Sequence, residues 1–530
     1  MVSRSPEPAV ATAAQPAAPA KTHAVVLTLM VTVFLSLLDT QIVATALPRV
    51  VSDLGGLDQF AWVTTGYLIG GSAAVPVYGK LGDLLGRKRV LIASTVVFLL
   101  GSALCGLAQT MGQLIAYRVV QGIGSGGLFI SVLAIIGEMF SPREGARYYG
   151  WFSLTFGAAS LAGPTLGGFL TELVGWRWVF FVNLPVGAVV LLVLSTLLHL
   201  PARRHEAHID HAGVVLLVLT VVGLNLLTGW AGVIYAWSSP VIVGLAAGSA
   251  IAMVLFVLSQ RRAVDPVIPL RLFTNRTFTT VVILGFISGF VGLGLINYLV
   301  LWLQTVLGLD AEESGLALTA MMLAVVLTSY LSTKVIGHTG SYRWFPALSM
   351  AVFAIAAVLF STAGPSTGTL LAVVYMLLFG IAGGLNAQAL SLAARNTASM
   401  RDIGAVQGTA ALMRQLGTAL GVSFFAAVMS GRLGAGLHDR LGTSGVHIDK
   451  NGSLAPEVLA ELSTPLRVEL AGVYADSLRV VFYAVIPMVL IGLVVSLFLK
   501  DVKLAGGHAP TEPETSSAAE PAGSVTRGDS

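Results

Sequence analysis

The stretch "GKLGDLLGRKR", residues 79–89, sets one carboxylate, Asp83, among the cations Lys80, Arg87, Lys88 and Arg89, between two apolar runs. Gly79, Gly82 and Gly86 recur through it, and a missing Cβ lets helix ends approach closely. Such a segment is too short for a domain, but it suits a basic turn joining two membrane spans. Asp83 can pair with a neighbouring cation or cap a helix N-terminus. The turn therefore predicts a latch at the mouth of a helical bundle, with Gly79, Asp83, Gly86 and Arg87 as the cytoplasmic gate.

The rest of the chain fits a lipid solvent. Its 530 residues are 55% hydrophobic and only 11% charged, against about 25% charged in soluble proteins. The mean hydropathy is +0.84. A span needs about 20 mostly apolar residues, and fourteen segments qualify: 24–47, 60–79, 90–108, 112–137, 150–170, 177–199, 212–230, 240–259, 278–303, 314–333, 345–362, 368–393, 404–429 and 478–499. A twelve-span count would follow if 212–230 and 240–259 were re-entrant. The expected fold is an all-α polytopic membrane protein. Basic residues orient it: 21 of the 30 lysines and arginines fall in the segments that a cytoplasmic N-terminus places inside. The net charge of +4 is thus a topology signal, and no nucleic-acid partner is needed to explain it.

Residues 1–22 and 501–530 read as disordered cytoplasmic tails. The apolar run after the first tail is too long for a signal-peptide core and is kept as a span. A faint echo of the 79–89 turn in "STKVIGHTGSYRW" (332–344) suggests two related six-helix halves, 23–200 and 261–500. Between them lie two inserted helices in 201–260, and the second half carries an outer loop, 430–477. The single cysteine, Cys105, excludes an intramolecular disulfide. The nine histidines show no metal-binding pairing, with His205, His208 and His211 more simply a soluble run. No phosphate loop and no catalytic constellation appear, so neither an enzyme, a metal nor a cofactor is expected.

Polar residues inside the spans are the candidate functional groups, because burying them is expensive. Asp39 is the only charge in Ala24–Leu47, about 5 Å outward of that span's centre at ~1.5 Å per residue. Arg118 lies in "LIAYRVVQGIGSGG" (114–127), with Gln121 three residues on along the same helical face. Desolvation disfavours a charged carboxylate and a nearby guanidinium favours it. Approach and separation of Asp39 and Arg118 in a shared cavity would thus load and release a proton. Arg414 in "GTAALMRQLGTALGV" (408–422) must face a cavity or find a partner. Gln41, Gln121, Asn297, Gln304, Asn386 and Gln388 are possible substrate contacts, though each could equally bond a neighbouring helix. In "GAASLAGPTLGG" (157–168), Pro164 predicts a kink. Asp310, Glu312 and Glu313 read as a solvated acidic turn.

These motifs resemble the major facilitator superfamily. Residues 79–89 match its Gly-x-Leu-x-Asp-x-x-Gly-Arg-[Arg/Lys]-[Arg/Lys] signature. "LDTQIVATALP" (38–48) resembles a motif of the fourteen-helix drug:proton antiporter branch (QacA/EmrB type), with Gln41 in place of the usual Thr and Ala44 in place of Asn. The resemblance implies the major facilitator fold. It also implies proton coupling by Asp39, Arg118 and Arg414, and an antiporter motif at Gly157, Gly163, Pro164, Gly167 and Gly168. It further implies proton-coupled export of amphipathic drugs or secondary metabolites, lipophilic cations among them, across the cytoplasmic membrane. The alternatives are export of one dedicated metabolite, lipid or amino-acid-like compound, or a non-transporting membrane sensor. The expected partners are a small-molecule substrate, protons and membrane lipid, with the chain acting as a monomer.

Overall fold

A computed structural model describes residues 19–55, 59–200, 210–231, 234–309, 311–398, 402–441 and 464–500. These form sixteen α-helices: α1 Pro19–Leu54, α2 Phe60–Leu85, α3 Arg87–Gly106, α4 Met111–Met139, α5 Pro142–Leu173, α6 Trp178–Phe181, α7 Asn183–Leu197, α8 His211–Trp230, α9 Pro240–Arg262, α10 Arg276–Ser288, α11 Gly294–Thr305, α12 Ala311–Thr339, α13 Trp344–Thr362, α14 Thr369–Thr397, α15 Ile403–Leu441 and α16 Thr464–Leu497. A π-helical turn, Gly289–Leu293, joins α10 to α11 into one membrane-length element. The backbone polar groups of each long helix are satisfied within the helix, which is what a hydrocarbon solvent demands.

Twelve of these elements are long and apolar enough to cross a membrane. The expected count of fourteen exceeds this by α2 and α5, which are continuous helices of 26 and 32 residues that are not among the twelve found in the described residues. α8 and α9, the pair open to a re-entrant reading, are continuous helices and belong to the twelve. α2 and α5 are the main contacts from α1–α7 to α10–α16, α2 against α15 and α5 against α12. They carry the small and hydroxylated residues of helices that face protein on several sides.

Several expected boundaries move. Asp83 sits in the last turn of α2 and Arg87 opens α3, so the "loop" is the single residue Gly86, whose φ of 92° suits glycine. The expected outer loop 430–477 is helical at both described ends, because α15 continues to Leu441 and α16 begins at Thr464; residues 442–463 lie outside the described residues. α1 begins at Pro19, inside the stretch expected to be a tail, while 1–18 and 501–530 lie outside the described residues.

The apolar core is continuous at one end of the molecule and divided at the other. One cluster joins both bundles near Asp83, taking in Leu29, Leu133 and Tyr149 together with Phe278, Ile336 and Ala394. Towards the opposite end the α1–α7 bundle and the α10–α16 bundle have separate clusters. α8 and α9 pack on each other, and α8 lies against α2 and α15, sharing a cluster around Leu217, Phe256 and Leu416.

Candidate functional site

Three polar assemblies stand out: one inside the α1–α7 bundle and two at the interface between the bundles. The first surrounds Asp39, which has no solvent exposure. Arg118 of α4 donates from Nη1 to Asp39 Oδ2 at 2.5 Å. Gln121 donates from Nε2 to Oδ1 at 2.7 Å, and Asn183, the first residue of α7, donates from Nδ2 to the same oxygen at 2.8 Å. Arg118 Nη1 also bonds Gln121 Oε1 at 2.8 Å, its Nε reaches the Val63 carbonyl at 3.3 Å, and its guanidinium carbon lies 4.1 Å from the Tyr67 ring centroid. Ser102 takes bonds from Gln121 and Asn183 and passes one to the Phe180 carbonyl. Every partner of the carboxylate is a donor, the set that an ionised carboxylate can use in full.

The helices meet here because glycines allow it. A Cβ on Gly122 would strike the Tyr67 carbonyl, and one on Gly101 would lie 2.6 Å from the Gln121 backbone. Asn183, Ser102 and Tyr67 were absent from the sequence reading. Asn183 carried the same signal as Asp39, a lone polar group in an apolar run ("FFVNLPVGA"). Ser102 and Tyr67 carried none, since serine and tyrosine recur throughout the spans.

The second assembly is at the Asp83 end. Asp83 Oδ1 accepts from Arg87 Nη2 at 3.1 Å, and the carboxylate also accepts from the backbone amides of Gly404 (3.0 Å) and Ala405 (2.9 Å). It thus caps the N-terminus of α15 across the bundle interface, where the helix dipole favours negative charge. Arg87 is held in turn by Glu138 at 3.3 Å and the Ala134 carbonyl at 2.5 Å. Burial pushes the Asp83 carboxyl above its ordinary range, against the opposing pull of Arg87 and the two amides. Its partners therefore offset desolvation only in part. Gly79 and Gly404 bring α2 and α15 together: a Cβ on Gly404 would lie 2.7 Å from Asp83 Oδ1. Further ties cross the interface at this end. Arg395 donates to the Gly137 carbonyl, Arg143 to the carbonyls of Gly337 (2.9 Å) and His338 (2.7 Å), and Gln407 to Tyr149 at 3.1 Å.

The third is a cavity of about 310 Å³ between the bundles. Phe152, Phe156, Phe353, Phe379, Met321 and Met322 supply much of its wall, and Gln407 borders it beside the closed end. Its polar lining includes Arg414, Asn386, Gln388, Ser153 and Ser329. Ser153 and Ser329 bond across the interface at 2.6 Å, and Gln388 donates to Ser153 at 3.2 Å. Asp39 is not among the lining residues; it and Arg118 are buried against their own partners. Gln121 belongs to that network and not to the cavity.

The remaining candidates fall elsewhere. Gln41 is part-buried against α5, where a Cβ on Gly163 would collide with it, and Gly167 packs on Thr45 and Ile42. Gly157 abuts Val326 of α12, while Gly168 has open space. Gln304 is exposed on α11. Pro164, Ala44 and Asn297 lie on helices, but their side chains lie outside the described residues, as do Asp310, His205 and His208. Among the described residues, no three His, Cys, Asp or Glu side chains gather as a metal site.

The family model for the Major Facilitator Superfamily matches residues 29–422, and the chain belongs to that family. It is a multi-pass membrane transporter rather than an enzyme. Multidrug transporter protein MdtP of Bacillus subtilis is 32% identical over 517 residues, covering 93% of this chain and 95% of the relative. Multidrug resistance protein 3 of the same bacterium is 36% identical over 411 residues, with 78% and 80% covered. An uncharacterized MFS-type transporter of Mycobacterium tuberculosis is 36% identical over 467 residues, with 88% and 68% covered. Among solved structures, the human organic anion transporter MFSD10 superposes with a TM-score of 0.58 at 16% identity, covering 89% of this chain and 100% of that one; at that identity the likeness concerns the fold alone.

Proposed function

We propose that this chain is a proton-coupled multidrug efflux antiporter of the fourteen-helix branch, exporting amphipathic compounds by alternating access. In this reading α2 and α5 complete the fourteen spans. Segments 23–200 and 261–500 are the two halves, 201–260 carries the inserted pair, and both termini lie inside a cytoplasmic membrane. The positive-inside bias supports that orientation. It makes the Asp83 end cytoplasmic and the described conformation closed on that side.

The observation that carries the reading is the buried Asp39–Arg118 ion pair, with Gln121 and Asn183 completing the carboxylate's partners. An intramembrane ion pair held by donors from α4 and α7 is a two-state element. Closed, Asp39 is paired with Arg118; in the proposed cycle separation of the pair frees the carboxylate to carry a proton. Alternation between these states, locked to breakage of the Asp83 cap on α15, moves a proton inward as substrate moves out. One proton crossing 100 mV releases about 2.3 kcal/mol, and a pH unit adds about 1.4 kcal/mol. Together they sustain a solute gradient of roughly 500-fold at one-to-one exchange.

Inverted vesicles energised with a proton gradient test this. Adding an exported drug should trigger proton release, and Asp39→Asn should abolish that release while drug binding persists. Unchanged coupling in that variant would remove Asp39 from the mechanism.

A further inference from the structure

The cavity is asymmetric in charge. Of the residues lining it, Arg414 alone is ionisable at neutral pH, and no Asp, Glu, Lys or His joins it. The Arg414 side chain has no hydrogen bond or ion pair among the described residues, although its backbone carbonyl is engaged by Thr418 at 3.1 Å. α15 is held by its glycines, Gly417 against the Phe286 backbone and Gly421 against that of Phe290, and that packing leaves Arg414 beside the cavity. The buried acids Asp39 and Asp83 do not line the cavity and are occupied, Asp39 by Arg118, Gln121 and Asn183, and Asp83 by Arg87 and two amides.

A second, independent feature faces the same space. Asn386 of α14 has no solvent exposure and lines the cavity, yet among the described residues neither its Oδ1 nor its Nδ2 has a hydrogen-bond partner. Buried side-chain amides are ordinarily satisfied, and an orphaned one calls for an occupant. Both features thus need a ligand. Arg414 presents a planar fork of donors suited to a carboxylate or sulfonate. Asn386 adds a donor and an acceptor that an acidic or amide head group can meet.

We propose that Arg414 and Asn386 form a head-group subsite for an acidic amphipath, whose apolar body packs on the Phe and Met wall. This rests on the efflux reading and narrows its substrate class. Lipophilic cations, which the resemblance includes among the expected amphipathic substrates, have no counter-charge among the lining residues and face a guanidinium in a low-dielectric setting. The volume, about 310 Å³, lies at the small end of the ~300–1,000 Å³ typical of ligand pockets, so one aromatic body with a short acidic chain fits best.

The test uses the full chain in phosphatidylcholine nanodiscs and three probes with one body: pyrenebutyrate, its methyl ester, and the pyrenebutyl trimethylammonium analogue. A charge-assisted hydrogen bond pair should make the carboxylate bind about tenfold or more tighter than the ester, with the cation weakest. Arg414→Gln should erase the carboxylate-over-ester ratio while leaving ester binding in place, and Arg414→Lys should restore part of it. Asn386→Leu should weaken the carboxylate several-fold at unchanged ester affinity. Equal affinities in the native protein, tighter binding of the cation, or a ratio unmoved by Arg414→Gln would each overturn the proposal. Should Arg414→Gln fail to fold, shown by lost ester binding, the native ratio and the Asn386→Leu shift decide. Binding in nanodiscs needs no proton gradient, so a failed Asp39 coupling experiment leaves this result intact, and the reverse holds as well.

Discussion

Arg118 of α4 and Arg414 of α15 are both guanidinium groups inside apolar helices, one in each bundle. Arg118 is 1% exposed and bonded to a carboxylate, an amide oxygen and a backbone carbonyl, with an aromatic ring at its face. Arg414 lines a cavity, and its side chain bonds to none of the described residues. The same side chain is thus a closed structural charge in one bundle and an open one in the other. A charge that is fully compensated can act only when its partners move, whereas an uncompensated one is ready for whatever enters. The first arrangement suits coupling, the second recognition.

Substitutions can break this contrast. Arg118→Leu should destabilise the detergent-solubilised protein most, by about 3–5 kcal/mol in a thermal-unfolding assay, because Asp39 is left buried and unpaired. Adding Asp39→Leu should recover much of that loss, and a double-mutant cycle showing simple additivity would refute the pairing. Asn183→Ala should cost about 1–3 kcal/mol by withdrawing one donor from the carboxylate, and it should reduce proton release without altering drug binding. Gly404→Val should weaken the closed Asp83 end by about 1–3 kcal/mol through overpacking against Asp83 and Gly79. That opening can be read as faster alkylation of a cysteine placed at Ser391 from the basic-loop side; the native Cys105 is buried and will not interfere. Ser153→Ala should cost only about 0.5–1.5 kcal/mol, since it removes one bond to Ser329 and one to Gln388. Arg414→Leu completes the series: stability unchanged or raised, because no partner is orphaned. A loss comparable to that of Arg118→Leu would mean the two arginines are alike after all.

Much of the site was legible from single anomalies. Asp39, Arg118 and Arg414 stood out because a charge within an apolar run has no cheap explanation, and Asp83 because its glycine and cation spacing fits a helix end. What escaped notice was the identity of the partners. Asn183 is 144 residues from Asp39 along the chain, and Gly404 is 321 from Asp83; no local pattern reports such distances. Gln121 and Gln388 looked equivalent as polar groups, yet one seals Asp39 and the other borders the cavity. The two segments read as spans at 60–79 and 150–170 form continuous helices, α2 and α5, that pack on the opposite bundle and are not among the twelve described elements apolar enough to cross a membrane.

By itself, the sequence determined the solvent, the helical class, the end that carries the basic turn and the places where charge is buried. Those follow from local composition, because a lipid environment constrains each segment separately. Only the tertiary structure decided which buried charges are compensated, that the Asp83 end is the closed one, and that Arg414 and Asn386 share one cavity. Those depend on glycine-to-backbone contacts between helices separated by tens to hundreds of residues, where a few ångströms determine whether a guanidinium meets a carboxylate or lines a cavity.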